Sequence, residues 1–423
     1  MTGSRVRAVL AVPVRGAFFT DDQAAIRAGR PRDGFTYAGP PVTPGFRAVR
    51  QPAEALSVLL QLDDGQVAHG DCVAVQYAAV GGRDPVFRAD DAARVVREVV
   101  APLLVGRAVG SFRELAAEVD DLTADGAALH TAVRYGVTQA VLDAAARARA
   151  VTMAEVVRDE YDTGVQLRPV GIFAQCGDDR YDTVDRMVLR GADALPHGLV
   201  NDVAAKVGAD GQLLADYVRW VRERVLALRT DETYLPVLHL DVYGTVGLAF
   251  GGDTGRIADF LLRLAALAAP LPLRVEHPVD AGSRPGQIEA MAALRRAVAD
   301  RGGGVALAVD EWCNTVEDVA AFVAAGAADV VHVKVPDLGG LHHTVEALLL
   351  VRRAGLLAYC GGSATETERS AQVTAHVAMA CGADQVLAKP GMGVDEGMTI
   401  VGNEMARVRA LAATRAARVG AGT

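Results

Sequence analysis

Cysteine is scarce in this sequence, and the motifs that depend on cysteine are missing. The five cysteines are scattered along the chain, and no two of them are separated by only two residues. An odd, scattered set disfavours both a disulfide framework and a zinc site. Such a set is typical of a protein in a reducing compartment, so we expect a cytoplasmic location.

Long apolar runs and an excess of basic residues are also missing. Arg5 and Arg7 interrupt the apolar residues near the amino terminus, so no signal peptide is expected. No run elsewhere approaches the length of a membrane span. The formal net charge is −9 at pH 7, which argues against nucleic acid or an anionic membrane surface. We therefore expect neither nucleic acid nor a membrane as a partner.

Residues 1–165 have the pattern of an α+β domain. Two strand-like segments surround the turn Asp63-Asp64-Gly65, which is a β-hairpin signal. After about residue 87 the pattern becomes helical, and apolar residues recur every four positions from Leu129 to Val141 on one helix face. Residues 33–46 are rich in glycine and proline, which predicts an ordered or mobile loop.

Residues 166–395 alternate short apolar strands with helices, a pattern typical of parallel β/α units. The eight predicted strands are Val170–Ala174, Ala192–Leu195, Val237–Leu240, Leu273–Val275, Ala306–Val309, Val330–Val333, Leu357–Tyr359 and Val386–Ala388. Eight strands favour a closed (β/α)₈ barrel of the α/β class. A doubly wound open sheet is the alternative, but no Gly-x-Gly-x-x-Gly turn follows a strand. Residues 396–423 are predicted to form a helical segment at the surface.

Carboxylates close three consecutive barrel strands. Asp241, Glu276 and Asp310 end the third, fourth and fifth predicted strands. The carboxyl ends of barrel strands meet at one rim, where catalytic residues collect. A lone carboxylate there is usually a helix cap or an ion-pair partner, but three neighbours would repel one another unless a cation lay between them. Hard oxygen ligands suit Mg²⁺, so we predict a magnesium site.

The sixth strand adds two further ionisable residues. His332 and Lys334 are two residues apart and therefore lie on the same side of the strand. Burial should lower the pKa of Lys334 toward neutrality and make it a usable general base, although an ion pair with Asp310 is the alternative. His197 ends the second strand, opposite the sixth, and is predicted to be the second proton-transfer group. Known enolase-superfamily sites pair a Lys or His base with magnesium.

Many segments between about Phe19 and Met405 resemble the methylaspartate ammonia-lyase family of the enolase superfamily. The segments are DGFTY, HGDCVAVQYA, GGRDP, FAQCGDDRYD, LPHGLVN, HLDVYGT, RVEHP, VDEWCNTVEDV, VKVPDLGG, YCGGSATETERSA and LAKPGMGVDEGM. The resemblance implies a capping domain over the barrel and a homodimer. It also implies elimination of ammonia from the amino-acid substrate 3-methylaspartate, by way of an enediolate, to give mesaconate. A role for a monovalent cation as activator stays open.

Site roles follow from the same resemblance. It implies that Asp241, Glu276 and Asp310 bind Mg²⁺, that Lys334 is the base for the (2S,3S) substrate, and that His197 acts on the opposite face. It also implies a group of substrate-binding residues: Gln76, Gln175, His332, Ser363, Ala364 and Leu387.

Three positions depart from the family pattern. His332 stands where the family has a glutamine that binds the metal-bound carboxylate, while Ser363 and Ala364 replace a Thr-Cys pair. Serine keeps the hydroxyl and alanine keeps the backbone N–H. His332, expected to be neutral near pH 7, either supplies the glutamine's hydrogen bond or marks a different substituent at C3. A lyase, racemase or dehydratase acting on another carboxylate is thus the alternative function, and a non-catalytic binding protein would be expected to lack metal ligands.

Overall fold

An antiparallel sheet flanked by helices forms the first part of the chain. The computed structural model describes residues 4–177, 179–388 and 390–421. The strands of this part are β1 (Val6–Asp21), β2 (Arg32–Asp33), β3 (Thr36–Tyr37), β4 (Arg50–Leu62), β5 (Val67–Cys72), β6 (Thr123–Ala124) and β7 (Ala127–Ala128). Its helices are α1 (Gln23–Arg27), α2 (Ala89–Val95), a π-helical turn (Val96–Val100), α3 (Ala101–Leu104), α4 (Phe112–Asp120), α5 (Thr131–Ala148) and α6 (Met153–Glu160).

Helix α5 packs closely against the hairpin of β4 and β5. The hairpin pairs Leu56 with Cys72 and is part of a sheet in the order β1-β4-β5. Two glycines allow the close approach: a Cβ on Gly70 would lie 2.3 Å from the carbonyl oxygen of Gly136, and a Cβ on Gly136 would lie 2.3 Å from the nitrogen of Cys72. No larger residue fits at either position without a shift of the backbone. The two glycines thus let the helix and the sheet pack into one buried core.

The loop at residues 33–46 is held in place by one buried carboxylate. Asp22 caps α1 by accepting from the nitrogen of Ala25 at 3.2 Å. It also accepts from the nitrogens of Val42 and Thr43 at 2.7 and 2.9 Å, and from the Thr43 hydroxyl at 2.6 Å. Burial raises the pKa of Asp22, but these hydrogen bonds outweigh burial and leave the pKa below its ordinary value. Asp22 therefore links Val42 and Thr43 of the loop to the start of α1.

The second part of the chain is a closed barrel of eight parallel strands, as predicted. Its strands are β8 (Gly171–Phe173), β9 (Ala194–Leu199), β10 (Val237–Asp241), β11 (Leu273–Glu276), β12 (Val305–Val309), β13 (Val330–Val333), β14 (Leu357–Cys360) and β15 (Gln385–Leu387), and β8 pairs with β15 to close the ring. Its helical segments are α7 (Asp182–Leu189), a π-helical turn (Val203–Val207), α8 (Gln212–Leu228), α9 (Thr245–Ala249), α10 (Thr254–Ala268), α11 (Arg284–Asp300), α12 (Val316–Ala324), α13 (Leu341–Arg353), α14 (Glu368–Cys381), a 3₁₀ turn (Pro390–Met392) and α15 (Val394–Ala421).

Strand β9 differs most from its prediction. It runs to Leu199, whereas the apolar pattern predicts an end at Leu195. Pro196 and the positive φ angles of His197 (67°) and Gly198 (56°) obscure the strand pattern. The extension places His197 within the strand. The predicted domain boundaries after residues 165 and 395 stay predictions.

Hydrogen bonds join the capping domain to the barrel mouth. The nitrogen of Ala17 donates to the carbonyl of Thr365 at 2.9 Å, and the Thr367 hydroxyl donates to Asp71 at 2.6 Å. The two parts thus enclose the carboxyl ends of the strands. All five cysteines are buried free thiols. Across the described ranges, no helix combines the length and the apolar content needed to cross a membrane.

Candidate active site

The three predicted carboxylates lie side by side at the barrel mouth. Asp241 and Glu276 are the last residues of β10 and β11 and are paired in register, and Asp310 follows β12 directly. Each is at most 4% exposed. Burial and repulsion from Glu276 raise the pKa of Asp241 well above its ordinary value. The three groups therefore form an acidic cluster that favours a bound cation.

Three neighbours keep Glu276 ionised. His239 Nε2 lies 2.7 Å from Oε2, the Tyr359 hydroxyl donates to the same oxygen at 2.6 Å, and His332 Nδ1 lies 3.3 Å from Oε1. Burial raises the pKa of Glu276, but hydrogen bonds from His239 and His332 outweigh it and hold the pKa well below the ordinary value. Carboxyl oxygens from three adjacent strands are a suitable donor set for a hard divalent cation.

Lys334 contacts Asp310 directly, with Nζ 2.5 Å from Oδ2. Burial lowers the pKa of Lys334, as the sequence predicts, but attraction to Asp310 is stronger and the net pKa is raised. The expectation that burial brings this pKa toward neutrality is therefore wrong, because the neighbouring protein groups raise the pKa more than burial lowers it. Lys334 and Asp310 form the ion pair that was the alternative prediction for this lysine.

His332 also departs from expectation. Burial lowers its pKa, but attraction and hydrogen bonding to Asp310 and a hydrogen bond to Glu276 raise it to about 9. The expectation of a neutral imidazole near pH 7 is therefore wrong. It failed because the sequence does not show that two carboxylates face this ring.

His197 lies opposite Lys334, since β9 and β13 are four strands apart in the eight-stranded ring. It is 3% exposed, and its Nε2 is 3.6 Å from Asp241 Oδ2. Burial lowers the pKa of His197 to about 3, so its imidazole is neutral over the physiological range. A neutral imidazole and a lysine thus face the cavity from opposite strands.

A cavity of about 390 Å³ between the capping domain and the barrel brings most of the predicted residues together. The predicted residues that line it are Gln76, Gln175, His197, Asp241, Asp310, His332, Lys334, Ser363 and Ala364. Glu276 lies behind this wall and is fully buried. Leu387 lies beneath Gly362, where a Cβ on the glycine would be 2.3 Å from Leu387 Cδ2.

Sequence reasoning missed several residues that support the site. His239 precedes Asp241 by two residues on β10, so the alternation of the strand could have shown that it faces the barrel interior. Tyr359 carries no comparable signal. In the capping domain, Arg50 donates to Asp21 at 2.8 and 2.7 Å, and Gln76 donates to the same carboxylate at 2.9 Å. This network positions Gln76 at the cavity wall.

An α+β cap over a (β/α)₈ barrel, with carboxylates on three consecutive strands, is an enolase-like architecture. The same fold occurs in muconate lactonizing enzyme from Pseudomonas fluorescens, with a TM-score of 0.61 and 16% identity over 90% of this chain and 87% of that chain.

Full-length relatives identify the family. Residues 4–162 match the sequence profile of the methylaspartate ammonia-lyase N-terminus, and residues 164–414 match that of its C-terminus. Methylaspartate ammonia-lyase from Clostridium tetanomorphum is 53% identical over 407 residues, which are 96% of this chain and 98% of that protein. The chain belongs to the methylaspartate ammonia-lyase family, whose members are carbon–nitrogen lyases.

Solved structures of the family agree closely with this fold. The Mg complex of the Clostridium tetanomorphum enzyme has a TM-score of 0.94 at 52% identity and covers 97% of this chain and 100% of that chain. The Citrobacter amalonaticus enzyme containing (2S,3S)-3-methylaspartic acid also has a TM-score of 0.94, at 47% identity over 96% of this chain and 99% of that chain.

Proposed function

We propose that this protein eliminates ammonia from (2S,3S)-3-methylaspartate to give mesaconate, with Mg²⁺ as its cofactor. The observation that supports this most is the juxtaposition of the three buried carboxylates with Lys334, which contacts one of them, and with His197 on the opposite strand. Relatives with an Mg complex and with bound 3-methylaspartic acid support the cofactor and the substrate.

Asp241, Glu276 and Asp310 would hold the metal ion. When bound, Mg²⁺ would supply positive charge that stabilises the anion formed when the substrate loses its C3 proton. His239 and Tyr359 keep Glu276 oriented and ionised through their hydrogen bonds to its Oε2. Such supporting hydrogen bonds fix ligand orientation.

Lys334 takes the C3 proton on Nζ. The electron pair of the C3–H bond then forms the C2–C3 double bond, and the C2–N bond breaks so that ammonia leaves with its electron pair. Lys334 must be neutral to begin this step, whereas Asp310 favours its ammonium form. A cation held by Asp310 would weaken that attraction and so favour the neutral, basic form of the lysine. His197 would serve the opposite face as a neutral base.

The remaining predicted residues are proposed to bind the two carboxylates and the amino group of the substrate. Gln76 comes from the capping domain, Gln175 follows β8, and Ser363 and Ala364 follow β14, so they approach the cavity from different directions. Leu387 is proposed to support the floor of the cavity through Gly362. We also propose a homodimer in the cytoplasm, in keeping with the family resemblance and the buried free thiols.

The direct test is ammonia release from a panel of 3-substituted aspartates, with absorbance of the conjugated alkene followed in parallel. We expect both products with the methyl-bearing substrate in the presence of Mg²⁺. Ammonia and alkene with only an ethyl- or hydroxyl-bearing substrate would contradict the proposed substrate, and isomerisation without ammonia would contradict the proposed reaction.

A further inference from the structure

The hydrogen bond of His332 to the backbone determines which of its ring nitrogens carries a hydrogen. Nε2 lies 2.8 Å from the carbonyl oxygen of Gly361. A carbonyl oxygen only accepts, so Nε2 must be the donor. In the neutral ring Nδ1 then presents a lone pair, which is the form in which imidazole binds a metal.

That lone pair faces two of the three carboxylates. Nδ1 is 3.3 Å from Glu276 Oε1 and 3.3 Å from Asp310 Oδ1. Adjacent ligands of an octahedral ion with bonds of about 2.1 Å lie about 3 Å apart, which is close to both separations. A lone pair and two carboxylate oxygens repel one another unless a proton or a metal ion lies among them. A metal ion bound at Nδ1 takes the place of a proton there.

The imidazole ring is held in this orientation from two sides. It stacks on Tyr359 with ring centroids 4.2 Å apart and an interplanar angle of 24°. Gly362 lies against the other end of the ring, where a Cβ would be 3.2 Å from Nε2. His332 itself is 2% exposed. The ring is thus positioned before a metal ion binds, as ligating histidines usually are.

The other histidines at the mouth fit this role less well. His239 Nε2 already bonds Glu276 Oε2 at 2.7 Å. His197 Nε2 approaches Asp241 at 3.6 Å, a longer separation than either contact of His332 Nδ1. His332 is therefore the histidine best placed to share a cation with the carboxylate cluster.

We propose that His332 Nδ1 is a fourth protein ligand to the metal ion held by Asp241, Glu276 and Asp310, an inference that rests on the metal site of the proposed function. Mg²⁺ prefers oxygen ligands, whereas affinity for sites that contain nitrogen ligands rises along the first-row divalent metals from Mn²⁺ to Co²⁺. A mixed nitrogen and oxygen site therefore shifts the relative affinity toward Mn²⁺ and Co²⁺.

The decisive experiment is pulsed electron paramagnetic resonance on the protein loaded with Mn²⁺. We expect coupling from a directly bound nitrogen in the wild type, which changes on ¹⁵N-histidine labelling. The coupling is lost in His332→Gln and kept in the matched control His197→Gln. Circular dichroism checks that both variants fold.

Each result separates this inference from the proposed function. Mn²⁺ bound without nitrogen coupling, or with coupling that survives His332→Gln, overturns the His332 ligand and leaves the carboxylate site intact. Failure of the wild type to bind Mn²⁺ at all overturns both proposals.

Relative metal affinity gives a second readout that does not depend on turnover. We expect His332→Gln to weaken Mn²⁺ binding by at least about tenfold, the lower end of the loss seen when even an outer partner of a metal ligand is removed. Mg²⁺ binding should change less. Equal weakening of both metals, measured by calorimetric titration and competition, contradicts nitrogen ligation.

Discussion

The barrel mouth has two halves that differ in charge. Strands β10 to β13 present Asp241, Glu276, Asp310 and Lys334 in succession, all of them ionisable. In the described part of the other four strand ends, the residues predicted to contact the substrate include Gln175 and Ser363, which are uncharged, and the His197 imidazole, whose pKa burial lowers to about 3. One half is therefore suited to hold a cation and move a proton, as proposed above, and the other to orient an uncharged or anionic group by hydrogen bonds and shape.

An aromatic layer lies beneath the two halves. The Phe173 ring is 4.4 Å from the His239 ring and 5.2 Å from the Tyr359 ring, measured between centroids. His239 and Tyr359 in turn bond Glu276. Because this layer excludes water from one side of the carboxylates, the electrostatic interactions of the carboxylates with neighbouring groups are weakly screened. The charged half should therefore control turnover, while the neutral half should control substrate affinity.

The largest effect should come from the carboxylates. Asp241→Ala, Glu276→Ala and Asp310→Ala should each abolish ammonia release, because each removes one of three charged ligands from a buried metal site. Chelation by EDTA should do the same to the wild type. The exposed Asp300→Ala serves as a control and should keep wild-type activity. Undiminished turnover in EDTA would show that this half of the mouth does not work through a metal.

Lys334→Ala should follow, with a loss on the order of 10²–10⁴-fold in kcat, the usual contribution of a general base. Deuterium exchange at C3 of the (2S,3S) substrate should be lost together with turnover. The substitution removes the lysine partner of Asp310 and leaves only the contact with His332 among its two described ionic partners, so metal affinity should be measured as a control. Near-normal C3 exchange in Lys334→Ala would show that another group is the base.

His197→Ala should chiefly impair the reaction on the opposite face of C3. Because the pKa of His197 is lowered to about 3, this imidazole is already neutral well below pH 6.5, and lowering the pH from 8 to 5 should not protonate it. The acid limb of kcat/KM for the opposite-face substrate should therefore lack a step near the ordinary histidine pKa. An acid limb of kcat/KM near pH 6.5 that disappears in His197→Ala would contradict this prediction. It would show that His197 is less strongly desolvated than its burial indicates.

Prediction from sequence succeeds best for the charged half. The alternation of strands and helices predicts all eight barrel strands, and position at a strand end is enough to predict that Asp241, Glu276, Asp310 and Lys334 lie at the barrel mouth. These inferences succeed because strand direction in a barrel brings distant residues to one rim.

Interactions between strands set the limit of such prediction. The raised pKa of Lys334 depends on its 2.5 Å contact with Asp310, which no spacing along the chain can show. The contact of Tyr359 with Glu276 likewise joins strands that are not adjacent in the ring. Burial can be predicted from an apolar pattern, but the sign of a pKa shift depends on which charges meet after folding.

The smallest effect is expected at Ser363, and it tests whether the neutral half acts mainly on binding. Ser363 is 3% exposed at the cavity wall, and its hydroxyl lies 3.4 Å from that of Thr365. Its nitrogen already donates to Glu366 at 3.2 Å, so the hydroxyl, whose contact with Thr365 is long, is the group able to turn toward a substrate carboxylate. A hydrogen bond of this kind contributes about 0.5–1.5 kcal/mol, so Ser363→Ala should raise KM by roughly two- to tenfold with kcat nearly unchanged. Ser363→Thr keeps a hydroxyl and is the matched control, with KM expected near the wild-type value. A fall in kcat with constant KM would mean that this contact forms mainly in the transition state. Ser363 would then affect turnover rather than substrate affinity, contrary to the role expected for the neutral half.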